Sequence, residues 1–309
     1  MTSPALATRP DPAGSALLPR WAQERALPLT TVLAALTLLW YLAAIWLNAD
    51  LAEQKLSRSA PTWTTAELID TAWSLDRPVL PTPDQIWAEF ADSVFNREVT
   101  SRRSLVYHAT VTASASIIGF GLGIALGVLL AVGIVHQRTL DRSLLPWIIA
   151  SQTVPILAIA PMIIVVLASL GMTGLLPKAV ISMYLCFFPV TIGMVKGLRA
   201  PDPLELDLMA TYSASPQQVF WKLRWPSSLS YLFASLKVAI AISLVGAIVG
   251  ELPTGAQEGI GARLLSGSYY GQTVQIWAAL LMASLLGLVL VAAVGGAERV
   301  TLSRMGGRR

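Results

Sequence analysis

The sequence is short of charge. Only 13% of its 309 residues are Asp, Glu, Lys or Arg, about half the share in an average soluble protein, which argues against an ordinary soluble enzyme. It has one cysteine, Cys186, and two histidines, His108 and His136. A lone cysteine excludes an intrachain disulfide and any multi-cysteine metal site, and so few histidines leave no zinc or haem centre to expect. No G-x-x-x-x-G-K-[ST] phosphate loop occurs in the chain, so ATP is not bound by that route. The formal charge of +4 is small and scattered, and no nucleic-acid partner is expected.

Apolar side chains are abundant. They make up 54% of the residues, the mean hydropathy is +0.62, and the surplus is gathered into long uncharged runs. A bilayer core needs about 20 apolar residues in helix. Six such spans are expected, near 29–47, 110–134, 145–170, 179–197, 229–250 and 274–295, giving an all-α polytopic membrane protein. Lys and Arg mark the cytoplasmic side. With six spans, Arg9, Arg20, Arg25, Arg138, Arg142, Lys196, Arg199, Lys222, Arg224, Arg299, Arg304, Arg308 and Arg309 share one face with both termini. The expected organisation is a disordered cytoplasmic tail over 1–27, a first span over 28–48, an extracytoplasmic segment over 49–107, a membrane core over 108–298 and a cytoplasmic tail over 299–309. No small-residue cleavage pattern follows the first span, which reads as a retained anchor.

Within the spans, Gly119, Gly123 and Gly127 recur every four residues and line up a face where a neighbouring backbone can approach. Pro155 and Pro161 each remove a donor, so the third span should bend or break beside Ser151, Gln152 and Thr153. Carbonyls freed there at membrane depth must face protein or water, as a structural kink or as part of a pathway. Lys237 is the one charge well inside a span, with no carboxylate at that depth in another expected span. Snorkelling, a subunit contact and a pathway role stay open for it. Glu251, fourteen residues on, reads either as a solvated helix end or as a gate or docking contact.

The segment 200–228 is the most informative. Asp202, Pro203 and Glu205 have the form of a capped helix start, and Ser215, Pro216 and Gln218 repeat it. Two short helices are expected, near 203–212 and 216–224, joined at Ser213, Ala214 and Ser215 and ended by Pro226. Val219, Phe220 and Leu223 share one face of the second helix, with Trp221 and Trp225 flanking it. This amphipathic knob either protrudes or lies on lipid.

Here the order of residues resembles the cytoplasmic loop of bacterial binding-protein-dependent ABC importer permeases, with its Glu-Ala-Ala, three residues, Gly, and a later Leu-Pro. Asp207 stands for the Glu, Leu208 and Met209 for the alanines, Ser213 for the Gly, and Trp225-Pro226 for the Leu-Pro. Val79-Leu80-Pro81-Thr82-Pro83-Asp84-Gln85-Ile86-Trp87 is similar to the Leu-Pro-Ser-Pro element of the nitrate, sulfonate and taurine-type branch. So are Thr153-Val154-Pro155 through Pro161, and Glu251 with Gly259-Ile260-Gly261. The resemblance covers roughly residues 79–295.

It implies a type I-like permease in the bacterial plasma membrane that works with a second permease copy, expected as a homodimer, a cytoplasmic ABC ATPase dimer that binds ATP and Mg, and an extracytoplasmic solute-binding protein. This chain itself would bind no cofactor and no metal and have no catalytic residue. Asp207, Leu208, Met209, Tyr212, Ser213, Ala214, Ser215, Phe220 and Pro226 would couple to the ATPase. Ser151, Gln152, Thr153, Pro155, Lys237 and Glu251 are the pathway candidates. The solute would be small and polar: nitrate, a sulfonate, taurine, or a heterocycle such as a pyrimidine, thiamine or riboflavin precursor. Two rivals are weaker on the residues. An ion-coupled secondary transporter wants intramembrane carboxylates and repeated topology, and a membrane-embedded enzyme wants converging polar groups within the spans.

Overall fold

The computed structural model of the chain describes residues 27–59, 62–253 and 257–305. The tail expected over 1–27 lies outside them except for Leu27, as do residues 306–309. The described residues form helices and no strand. Two compact units divide the chain after Pro83.

In the first unit, α1 (Leu27–Ser59) is apolar along its first half, with Leu29, Leu33, Leu36 and Leu39 all exposed, as suits a helix surrounded by lipid. Helix α2 (Thr65–Trp73) starts from a capping box between Thr64 and Glu67, whose hydrogen bonds hold the Glu67 carboxyl below its usual range. The segment after α2 is clasped by the fully buried Asn48. Its Nδ2 donates to Ala72 O and Leu80 O, and its Oδ1 accepts from the N–H groups of Val79 and Leu80. Trp40 adds an indole bond to Pro81 O at 2.9 Å.

The second unit begins at Asp84, within α3 (Pro83–Ala91), and continues into a π-helical turn, Asp92–Asn96. It then runs through α4 (Leu105–His136), α5 (Arg138–Ser151), α6 (Ile156–Ser169), α7 (Leu175–Leu198), α8 (Pro203–Thr211), α9 (Pro216–Val219), α10 (Trp225–Glu251), α11 (Ile260–Tyr269) and α12 (Thr273–Arg304). Among the described residues of the chain, five helices are long and apolar enough to cross a membrane, or six when α5 and α6 count as one broken span.

Helix α7 is the axis of this unit, packed between α4 and α10. The glycine stripe of α4 explains the closeness. A Cβ on Gly119 would collide with Ser182, one on Gly123 with the Cys186 sulfur, and one on Gly127 would come within 2.9 Å of Val190. On the other side, Gly246 of α10 would bring a Cβ to 2.7 Å from Ser182 Cα. Close backbones bring serines within reach of carbonyls: Ser182 Oγ donates to Ser243 O and Ser243 Oγ to Ser116 O, both fully buried.

Of the two outcomes expected for the third span, bend or break, it is the break that is found: α5 and α6 meet at 102°. One expectation changes: Pro226 does not end the knob's second helix. A π-helical turn, Phe220–Arg224, carries α9 into α10, with the Trp225 N–H reaching back five residues to Phe220 O. The widened turn accommodates the proline ring where a regular turn would clash. The helical run Pro216–Glu251 thus spans 36 residues, about 54 Å at 1.5 Å per residue.

Candidate functional site

The knob is built by its caps. Asp202 Oδ1 accepts from the Leu204 N–H at 2.9 Å while the Glu205 carboxylate accepts from the Asp202 N–H at 3.1 Å, and Ser215 and Gln218 repeat the exchange at the start of α9. Between them α8 closes in a left-handed turn. Ser213 has φ +52°, its N–H donates to Ala210 O, and the Ala214 N–H donates to Met209 O. This is a Schellman closure with serine where glycine is usual. Leu208 (56%) and Tyr212 (78%) are exposed, as are Asp207, Ser213 and Ser215, while Met209, Ala214 and Pro226 are half-buried. Phe220 differs from the expectation of an outward contact. It is 9% exposed and packs inside the chain, 5.1 Å from the His136 ring and 6.0 Å from Trp225. Arg224 Nη1 donating to Leu198 O and Arg199 pairing with Asp141 at 2.9 Å tie the neighbouring segments together.

At the opposite end of α10 lies a polar cluster of a different kind. Glu251 is fully buried, which corrects the reading of a solvated helix end. Its carboxylate accepts from Thr112 Oγ1 at 3.0 Å and from the Gly261 N–H at 2.9 Å, and Lys178 Nζ lies 3.6 Å away. The Lys178 ammonium also donates to Glu258 O at 2.9 Å. Thr112 Oγ1 accepts from the Ile260 N–H, and His108 Nδ1 accepts from the Gly259 N–H. With Nδ1 so occupied, the ring is the neutral tautomer whose Nε2–H donates to Arg102 O at 2.8 Å. Three successive N–H groups at the start of α11, which a helix leaves unpaired, are therefore capped by side chains from α4 and α10. Gly259 (φ +114°) and Gly261 leave the room this needs: a Cβ on Gly259 would strike the Glu251 carboxyl, and one on Gly261 the Ile248 carbonyl. Nearby in α11, burial lowers the Arg263 guanidinium from its usual range, with Glu89 opposing the shift. A cavity of about 490 Å³ opens beside Lys178, lined also by Ile164, Ala168, Thr173 and Glu258.

The pathway candidates fall in three places. Ser151, Gln152, Thr153 and Pro155 form the α5–α6 break, where Gln152, Thr153 and Pro155 are exposed. Glu251 belongs to the buried cluster. Lys237 has a partner after all: Glu298 of α12, at 2.5 Å. The carboxylate was missed because α12 runs on to Arg304, beyond the apolar window that defined the span. Lys178 was missed for the same reason, lying between two apolar windows. His108, Thr112 and Ser116 repeat every four residues, a legible polar stripe on one face of α4.

Comparison with known proteins adds the following. Residues 123–306 match the family described as binding-protein-dependent transport system inner membrane component. The formylaminopyrimidine transport permease protein of Halalkalibacterium halodurans is 30% identical over 72% of this chain and 85% of its own length. The riboflavin transport system permease protein of Chloroflexus aurantiacus is 30% identical over 72% and 79%, and the putative aliphatic sulfonates transport permease protein of Bacillus subtilis 23% over 78% and 87%.

Proposed function

The chain belongs to the family of binding-protein-dependent transport system inner membrane components, and from that membership we propose how its parts work. It is a multi-pass inner-membrane permease subunit of an ABC importer; it is no enzyme itself, and its family implies an ATPase and a solute-binding protein as partners.

We infer that both termini and the α8–α9 knob face the cytoplasm and that the α11 end faces outward. Two copies of the chain form the pathway, and ATP and Mg are bound by the partner ATPase. Asp207, Leu208, Met209, Tyr212, Ser213, Ala214 and Ser215 dock on that ATPase, while Phe220 and Pro226 act from inside, fixing the knob to α10. Closure of the ATPase moves the knob, and the helical run Pro216–Glu251 transmits the movement, because a continuous helix moves as a unit. ATP then shifts the balance between two arrangements of the spans by binding one of them better. The residues of the break, Ser151, Gln152, Thr153 and Pro155, line the pathway, since irregular backbone at membrane depth is tolerated only against protein or water. Lys237 and Glu251 are both paired and serve the bundle rather than the solute.

The solute is a small polar molecule, and a heterocycle is favoured over a sulfonate. Relatives named for formylaminopyrimidine and riboflavin transport are 30% identical, against 23% for the one named for sulfonates.

The observation that carries the docking assignment is the exposed apolar tip, Leu208 and Tyr212, on a doubly capped scaffold. Replacing Asp207 with Arg puts a cation there without disturbing a cap. Co-purification of the ATPase should fall at least tenfold while membrane insertion is unchanged; undiminished co-purification overturns the assignment.

A further inference from the structure

A helix leaves its last four carbonyls without helical partners, and α5 ends in a break where the third span turns by 102°. At membrane depth each carbonyl needs a donor. Three are served locally. Ile148 O accepts from Ser151 Oγ at 2.7 Å and Ile149 O from the Gln152 N–H at 3.2 Å. Ala150 O accepts from both the N–H and the hydroxyl of Thr153, at 3.0 and 2.7 Å. The fourth, Ser151 O, is served from another helix: Tyr184 of α7 donates its hydroxyl at 2.5 Å. That bond ties the break to the axis of the bundle. The Tyr184 ring is placed separately, 6.1 Å from Phe187 and against the buried core around Cys186 and Val190, so ring packing alone does not call for the hydroxyl.

We propose that Tyr184 is the positioning residue of the α5–α6 break, its hydroxyl holding Ser151 O so that residues 151–155 keep one geometry in the transport cycle. The part that concerns transport rests on the reading of this segment as pathway lining; the part that concerns geometry does not. Losing that bond leaves a half-buried carbonyl without its donor, so the break should seek water or another donor and sample other angles.

The test uses the assembled transporter in lipid, with Cys186→Ala as background and spin labels at Thr139→Cys on α5 and Val166→Cys on α6. With Tyr184 present, and labelled chains diluted among unlabelled ones so that only pairs within one chain are read, the label distances should form one narrow distribution. Tyr184→Phe, which keeps the ring, should broaden or split it and lower solute turnover about threefold to tenfold with KM unchanged. 4-Aminophenylalanine at position 184, which restores a donor, should recover both. An unchanged distribution with Tyr184→Phe overturns the proposal. So does a broadened one with unchanged turnover, since the bond would then hold a bend that transport does not use. Gln152→Ala separates the two readings: if it leaves transport intact while Tyr184→Phe impairs it, the pathway assignment fails and the positioning role stands.

Discussion

The two ends of the helical run Pro216–Glu251 are built on opposite principles. At the α11 end the chemistry is polar and enclosed: Glu251, Thr112 and His108 are at most 1% exposed, and their partners all belong to the chain. At the knob end the surface is open, and Leu208 and Tyr212 stand outward. An end whose polar groups are satisfied internally contributes to stability and tolerates little change. An end left open contributes little to the isolated chain and takes its meaning from a partner. Substitutions at the two ends should therefore separate stability from association.

The sharpest way to break this contrast is Glu251→Gln. The amide keeps the shape but leaves the Lys178 ammonium, with its side chain 11% exposed, buried without a counter-charge, at a cost of about 3–5 kcal/mol. Thermal unfolding of the purified subunit should show a large drop in midpoint, and a wild-type midpoint would mean the cluster is not the anchor described. The double replacement Glu251→Leu with Lys178→Met should recover much of the loss, because swapping both partners of a buried pair for apolar groups is often neutral.

Lys237 occupies a middle position. Its pair with Glu298 is as short as any ion pair described, yet the two side chains are 40% and 21% exposed, against 11% and 0% in the Lys178–Glu251 pair, so the chain itself encloses it less. Lys237→Met should lower the melting midpoint less than Glu251→Gln does, because the remaining Glu298 carboxylate is not enclosed by the chain. The exchange Lys237→Glu with Glu298→Lys should restore whatever the single change loses, as read by a double-mutant cycle in melting midpoint. A loss as large as that of Glu251→Gln would erase the distinction between enclosed and open polar groups.

How legible these regions were follows from the range of the forces that make them. The caps at Asp202 and Ser215, the glycine stripe of α4 and the break beside Ser151 depend on residues within a few positions of one another, and the sequence displays them directly. The membrane architecture was legible for the same reason, since a span is one continuous run. The partners of Glu251 and Lys237 come from residues 73 positions before and 61 positions after, and no local pattern announces such pairs. Windows that stop at the first charge also cut off the helix ends where Lys178 and Glu298 lie. Phe220 was misread because its apolar face suited a partner surface as well as the chain's own core, and only the position of His136 decides between them.

The smallest effect belongs to the turn between the knob helices. Ser213 adopts φ +52°, a conformation that costs a residue with a Cβ about 1–2 kcal/mol relative to its preferred regions. Glycine removes that cost but gains freedom in the unfolded chain, which returns about 0.4–1 kcal/mol of it. Ser213→Gly should therefore stabilise the knob by a few tenths to about 1 kcal/mol, visible as slower amide exchange at Ala214, whose N–H closes the turn on Met209 O. Association with the ATPase should stay within about twofold, since the closure is unchanged. If exchange instead quickens, the serine is contributing something beyond its backbone angle, and the open end of the rod is more tightly specified than its exposure suggests.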